Sequence, residues 1–342
     1  MSRYQPPFTL TVDMLNKVVE IGELMGHWAA QSGRASPLLR KENRIRTIQA
    51  SLAIEHNSLT RDQVTAVMEG KRVLAPEKDI QEVRNAIQAY EKLPAWKPSH
   101  LKDLLDAHRI LMVGLVDHPG QLRHEDVGVY RGKKLVHMAP PASQVPRLID
   151  DLLHWIKNTD IHPLIASAVF HYEFEFIHPF LDGNGRMGRL WQTVILSKWR
   201  SELAWLPIET LIHFQQTRYY KILGQCDKAS DCTPFVEFML ENMIEALREG
   251  LSVPTLLSEE MSEEMSEEMS EEMSEETAEP LTELEEAVIR CVAKNPQATA
   301  KVIAEETSVS GRTIERQLRA LQQKGKLQRI GPTKGGFWRV IA

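Results

Sequence analysis

Within the run His178-Pro179-Phe180-Leu181-Asp182-Gly183-Asn184-Gly185-Arg186-Met187-Gly188-Arg189, the chain gathers a histidine, a carboxylate, two arginines and several glycines. Each type has a chemistry. His178 is a base whose pKa lies near neutrality. Asp182 offers a hard oxygen ligand, and Mg2+ takes one or two carboxylates plus substrate oxygens. Asp182-Gly183-Asn184-Gly185 is rich in residues that tolerate positive φ. A Gly-rich turn feeding a helix aims backbone N–H groups outward and makes a seat for phosphate. Arg186 and Arg189 share one face of that helix, where two guanidinium groups suit a polyphosphate. A base, a metal carboxylate, an anion nest and two arginines together indicate transfer of a phosphorus group.

The elements that must position these groups are helices. An apolar stretch, Leu164 to Ile177, delivers the chain to His178, and Pro179 biases His178 away from helical dihedrals, so the helix should stop there. A second helix should begin near Gly185 and run through Leu196. Apolar residues recur at helical spacing over Met14–Ala30, Leu39–Ile54, Leu101–Val116, Val145–Ile156 and Phe235–Leu247. One segment differs: Val127–Tyr130 and Leu135–Met138 flank Arg131-Gly132-Lys133-Lys134 and read as a small β-hairpin ended by Pro140-Pro141.

The composition is that of a globular protein: of 342 residues, 42% are hydrophobic and 26% charged. No apolar run approaches the roughly 18–20 residues of a membrane helix, and Met1–Leu10 lacks the pattern of a signal peptide. Cys226, Cys232 and Cys291 form no zinc spacing and read as reduced packing residues of a cytoplasmic protein. The net charge of −6 hides two opposed segments: 258–277 holds ten Glu and no Lys or Arg, whereas 281–342 holds eleven Lys and Arg against six Glu. The acidic segment repeats Ser-Glu-Glu-Met and reads as a flexible or partly helical linker, or as an internal mimic of nucleic acid covering the basic segment.

The basic segment has its own pattern: helices over Leu284–Ala293, Ala300–Glu306 and Arg312–Gln323, the last capped by Ser310, then two strands, Leu327–Ile330 and Phe337–Ile341. This order resembles a winged helix-turn-helix. In DNA-binding versions the third helix enters the major groove, which here would present Arg312, Thr313, Arg316 and Arg319, with Lys334 at the ribbon tip. A role in protein contacts alone remains the alternative.

The run from His178 to Arg189 matches the signature of the Fic (Fic/Doc) family, His-x-Phe-x-Asp/Glu-Gly-Asn-Gly-Arg-x-x-Arg, at every defined position. The resemblance covers roughly 36–250 and implies a mostly α fold: a Fic-type helical core with a β-hairpin flap, here followed by the winged helix-turn-helix. The expected divisions are 1–95 (N-terminal helical region), 96–250 (Fic core), 251–280 (acidic linker) and 281–342. The resemblance implies a protein adenylyltransferase that moves AMP from ATP, with Mg2+, to a Ser, Thr or Tyr hydroxyl of a target protein. By the same resemblance His178 takes the hydroxyl proton and Asp182 binds Mg2+. Phe180 anchors the loop, Gly183, Asn184 and Gly185 cradle phosphates, and Arg186 and Arg189 hold the phosphate chain, Arg189 nearest the γ-phosphate. Lys133, Lys134, Leu135, Val136 and His137 would be the flap edge that docks the target by strand addition. Tyr219 and Tyr220 are nucleotide contacts or core.

Ser51-Leu52-Ala53-Ile54-Glu55-His56-Asn57 resembles the family's inhibitory-helix motif, Ser/Thr-x-x-x-Glu-Gly/Asn, which implies that Glu55 pairs with Arg189 and blocks the γ-phosphate position; His56 departs from the pattern. Two other activities stay open. One is a de-AMPylating hydrolase in which Glu55 orients water; the other is a DNA-binding regulator whose Fic domain senses nucleotide. A homodimer is compatible with the sequence, which does not fix the oligomeric state.

Overall fold

The most apolar helix, α7 (Pro163–Ile177), lies at the centre, and nearly all its side chains are buried. A helix apolar on every face has no surface to give to water. The computed structural model describes residues 4–32, 37–131, 134–252, 283–295, 298–307, 309–323, 326–330 and 337–340. They divide into two units, Met1–Glu259 and Glu260–Ala342.

In the first unit, α1 (Val12–Ser32), α2 (Pro37–Ile54), α3 (Arg61–Met68), α4 (Glu77–Lys92) and α5 (Leu101–Met112) precede a two-stranded antiparallel hairpin, β1 (Gly128–Arg131) and β2 (Lys134–Met138). Then come α6 (Val145–Asn158), α7, α8 (Asn184–Trp199), α9 (Ile208–Phe214), α10 (Gln216–Ala229) and α11 (Thr233–Ser252). Helices α8 and α11 pack on α7, and α1 packs on α11. The residues assigned to 1–95 and 96–250 share one continuous core, from Met14 and Ile48 to Phe170, Trp191 and Phe238.

Local chemistry sets several ends. Thr60 and Gln63 close a reciprocal capping box on α3. Pro163 occupies the first turn of α7, where its missing N–H does no harm. The helix expected over Leu101–Val116 is shorter: it ends at Met112, because Val113 is extended and Gly114 has φ +75°. Asn85 Nδ2 donates to the carbonyls of Leu111 and Val113 and so caps that end. The hairpin carries an irregularity between Val129 and Tyr130, and β1 lies one residue beyond the expected Val127–Tyr130.

The second unit contains α12 (Glu283–Lys294), α13 (Ala300–Thr307), α14 (Gly311–Gln323) and the antiparallel pair β3 (Leu327–Ile330) and β4 (Phe337–Val340). Its own core holds Val288, Val292, Ile303, Ile314, Leu318, Leu321 and Leu327. Thr313 N–H donates to Ser310 Oγ, the expected cap. The order of elements is that of a winged helix-turn-helix. The Ser-Glu-Glu-Met repeat, Lys133 and Lys334 lie outside the described residues. Among the described residues no helix is long and apolar enough to cross a membrane.

Candidate active site

Helices α7 and α8 are joined by the loop His178–Gly183, and the loop's shape follows from its residues. His178 takes the left-handed conformation, φ +50°, ψ +61°, and ends α7. Gly183 is left-handed too, φ +85°, and a Cβ there would stand 2.6 Å from Met112 Sδ, so only glycine fits. The side chain of Asn184 binds Phe180 twice: its Oδ1 accepts from Phe180 N–H at 2.9 Å and its Nδ2 donates to Phe180 O at 2.8 Å. Asn184 thus braces the loop with its side chain, leaving its backbone to the first turn of α8. Phe180 is fully buried and stacks flat on the His108 ring, centroids 3.6 Å apart. His108 Nδ1 accepts from Gly120 N–H, so Nε2 carries the hydrogen it donates to Asp182 O at 3.1 Å. Burial pushes the pKa of His108 down to about 4, so the ring is neutral.

The His178 ring is half-buried, and burial holds its pKa down to about 4, while the Glu175 carbonyl works in the other direction. It is an unprotonated base at neutral pH. Three residues earlier, Glu175 is enclosed near His171 and its carboxyl is pushed up to about 7 by burial; its Oε1 meets no donor.

The anion seat is covered. Arg189 donates from Nε to Ser51 Oγ at 3.1 Å, and from Nη2 to Ser51 O at 2.9 Å and Glu55 Oε1 at 2.8 Å. Its side chain is 1% exposed against 30% for Glu55. Burial opposes the guanidinium charge, and Glu55 together with Tyr219 and Tyr220 more than offsets it, so the pKa of Arg189 stands above its ordinary value. Arg189 Nη1 is buried and meets no acceptor. Glu55 Oε1 lies so close to Gly185 that a Cβ there would collide with it. His56 departs from the family pattern yet fills the same geometric role, with φ +69° at the end of α2.

Arg186 is held by two carboxylates. It pairs with buried Glu82 of α4 at 3.1 Å and with Asp182 Oδ1 at 3.3 Å. Glu82 also accepts from Asn57, beside the end of α2. Asp182 keeps its side chain 55% exposed and accepts from Gly183 N–H at 2.6 Å. One open carboxylate beside an anion seat fits a Mg2+ that draws its other ligands from phosphate and water. Among the described residues no group of three or more His, Cys, Asp or Glu forms an all-protein cage.

The two tyrosines separate. Tyr219 is 1% exposed and bonded to His171, the core alternative of the two. Tyr220 is half-buried and feels the charges of Glu55 and Arg189. On the hairpin, Leu135 is exposed and His137 is tied down, with Nδ1 2.9 Å from Asp227 Oδ2 and Nε2 2.9 Å from Phe176 O. The side chains of Lys134 and Val136 lie outside the described residues. In the second unit Arg316 is exposed and Thr313 half-buried on α14, whereas the side chains of Arg312 and Arg319 lie outside the described residues. The sequence reading missed Glu82, Arg123, Asp227 and the role of His108. The spacing of Ile80, Val83, Ile87 and Tyr90 could have flagged α4; Arg123 bonds only to carbonyls and leaves no pattern.

Comparison with known proteins agrees with this geometry. The family described as Fic/DOC matches residues 98–196, and that described as winged helix-turn-helix DNA-binding matches 281–328. The chain is 30% identical over 215 residues to "Protein adenylyltransferase Fic" of Drosophila grimshawi, covering 59% of this chain and 42% of that one. It is 28% identical over 247 residues to the protein of the same name from Nematostella vectensis, covering 67% and 54%. The chain thus spans about half or less of the length of these curated relatives. Among solved structures, that of a Fic family protein from Desulfovibrio desulfuricans G20 is 44% identical, covers 99% of both chains and has a TM-score of 0.72. Fic-1 from C. elegans shares the fold at 21% identity and a TM-score of 0.57, covering 70% of this chain and 72% of that one.

Proposed function

The chain belongs to the Fic family, and from that premise we propose that it transfers AMP from ATP to a Ser, Thr or Tyr hydroxyl of a target protein, with Glu55 restraining the reaction by occupying Arg189. The hydroxyl oxygen attacks the α-phosphorus, the bond to pyrophosphate breaks, and the hydroxyl proton passes to the His178 ring. That ring is neutral and so able to accept it. Asn184 and Gly185 offer backbone N–H groups to the phosphates, Gly183, whose N–H is held by Asp182, supplies the turn of that cradle, and Arg186 and Arg189 offer charge. Asp182 would hold Mg2+, which when bound neutralises phosphate charge. The free cysteines suit a reducing, cytoplasmic setting.

The observation that carries the reading is the position of Glu55. Its carboxylate lies on Gly185 and 2.8 Å from Arg189, where a terminal phosphate would need to be. ATP must displace it or bind out of line, and a misplacement of about 1 Å can cost about 10²-fold in rate. The test is incorporation of label from α-labelled ATP with Mg2+. Glu55→Gly should raise incorporation about 10²-fold over wild type, and Glu55→Gln should raise it less, since the amide still fills the space. Equal incorporation by wild type and Glu55→Gly would refute the restraint.

The same carboxylate is 30% exposed, so water can reach it. This supports a second reading, removal of AMP with Glu55 orienting the water; there, Glu55→Gly would abolish release of AMP from a modified protein. The winged helix-turn-helix supports DNA as a further partner. Affinity of the whole chain for duplex DNA should fall steeply as salt rises and vanish when 281–342 is deleted. Absence of binding at low salt would favour protein contacts.

A further inference from the structure

The last carbonyls of an α-helix have no partner within the helix and carry the negative end of its dipole. At the end of α7 these carbonyls are met by two cations from the hairpin and its approach. Phe176 O accepts from His137 Nε2 at 2.9 Å, Ile177 O from Arg123 Nη2 at 3.3 Å, and His178 O from Arg123 Nε at 2.7 Å. Arg123 also donates to Glu125 O at 2.9 Å and Pro140 O at 2.5 Å, on the entry and exit of the hairpin, and its own N–H donates to Pro179 O at 2.9 Å. It is 3% exposed, and all these bonds end on main-chain carbonyls. Such bonds over-determine the left-handed conformation of His178.

His137 is bound differently. Its Nε2 faces a carbonyl, and its Nδ1 faces the Asp227 carboxylate of α10, whose other oxygen accepts from Tyr172. A carbonyl and an ionised carboxylate only accept, so both ring nitrogens must carry hydrogen. The bonded ring is an imidazolium, and losing one proton breaks one of its two ties.

We infer that Arg123 and His137 form a two-cation latch that registers the hairpin, and with it the acceptor segment, to His178, with Arg123 permanent and His137 releasable. This rests on the transfer reading above, for which both are positioning residues. The groups facing His137 are Asp227 from α10, Glu175 from α7 and His178 just beyond its end. Burial opposes its charge, but Asp227, the Phe176 carbonyl and Glu175 together raise its pKa above the ordinary imidazole value. The latch is therefore fully present below the ordinary value and is lost as pH rises through the raised one. The imidazolium also helps keep His178 unprotonated.

The test uses the full chain carrying Glu55→Gly, alone and with His137→Gln or Arg123→Lys. Amide exchange of residues 128–131 and 134–138, corrected for the intrinsic rate, is measured at pH 6 and 9 beside ATP binding and self-incorporation of label. His137→Gln should speed hairpin exchange at pH 6 by about tenfold, the equivalent of one charge-assisted hydrogen bond, and lower incorporation with ATP binding unchanged. Raising the pH should loosen the hairpin when His137 is present and add nothing in His137→Gln. Arg123→Lys should loosen it at both pH values. A hairpin insensitive to pH and to both variants would overturn the latch, and so would incorporation unchanged by His137→Gln. A pH-sensitive hairpin in a protein that incorporates no label would overturn the transfer reading alone.

Discussion

Two helix ends meet at the motif loop, and each is covered by charge of the sign its dipole favours. The C-terminus of α7 takes cations, Arg123 and His137; the first turn of α8 takes an anion, Glu55. One rule has two consequences. The carbonyls of Phe176, Ile177 and His178 have no use in the reaction, so their partners are scaffold. In the proposed transfer the seat at Gly185 and Arg189 is what a polyphosphate would need, so its partner would be a competitor. A charge at a helix end supports or inhibits according to whether the substrate requires the same atoms.

The contrast can be broken most sharply at the base. In a Glu55→Gly background, His178→Ala should lower label transfer by about 10²–10⁴-fold while ATP affinity, read by calorimetry, stays the same. A parallel loss of ATP affinity would merge the two ends into one site. A smaller effect is expected at the seat. Gly185→Ala puts a methyl on the position of Glu55 Oε1, so it should free the end of α2 to exchange amide hydrogens faster. In the Glu55→Gly background the same methyl should weaken ATP binding roughly tenfold, about 1.4 kcal/mol. If neither changes, carboxylate and phosphate do not share the spot. The smallest effect concerns acid. His178, pushed down to about 4 by burial, stays neutral well below pH 6.5. Transfer by Glu55→Gly should vary by less than about threefold between pH 5.5 and 7. A loss centred at pH 6.5 would show a solvated His178 and overturn burial as the cause of its neutrality.

The parts legible in the sequence were those encoded locally. Pro179 after His178 and the glycines at 183 and 185 announce a helix stop, a turn and a new helix, and the structure has all three. The hairpin and the winged helix-turn-helix were readable from alternation and turn residues. The hidden parts depend on tertiary neighbours. Tyr219 and Tyr220 are adjacent on α10, and the step of a helix sends one into the core and leaves the other half-buried, which no dipeptide reveals. The ion pair of Arg186 with Glu82 was hidden because Glu82 is contributed by a distant helix. Arg123 sits in the link 113–127 between α5 and β1, and its acceptors are main-chain atoms that carry no residue identity at all.

Arg189 Nη1 is sealed from solvent without an acceptor while Glu55 and Ser51 satisfy its neighbours. A buried donor left unmet costs about 1–3 kcal/mol. The resting arrangement is therefore incomplete by one hydrogen bond, and a ligand that brings an extra oxygen to that nitrogen recovers what the resting arrangement forgoes. Each 1.4 kcal/mol is tenfold in an equilibrium, so for the proposed polyphosphate an oxygen placed on that nitrogen would favour binding by about 5–150-fold. In the proposed restraint, the threshold for response would be carried by an atom that, at rest, bonds to nothing.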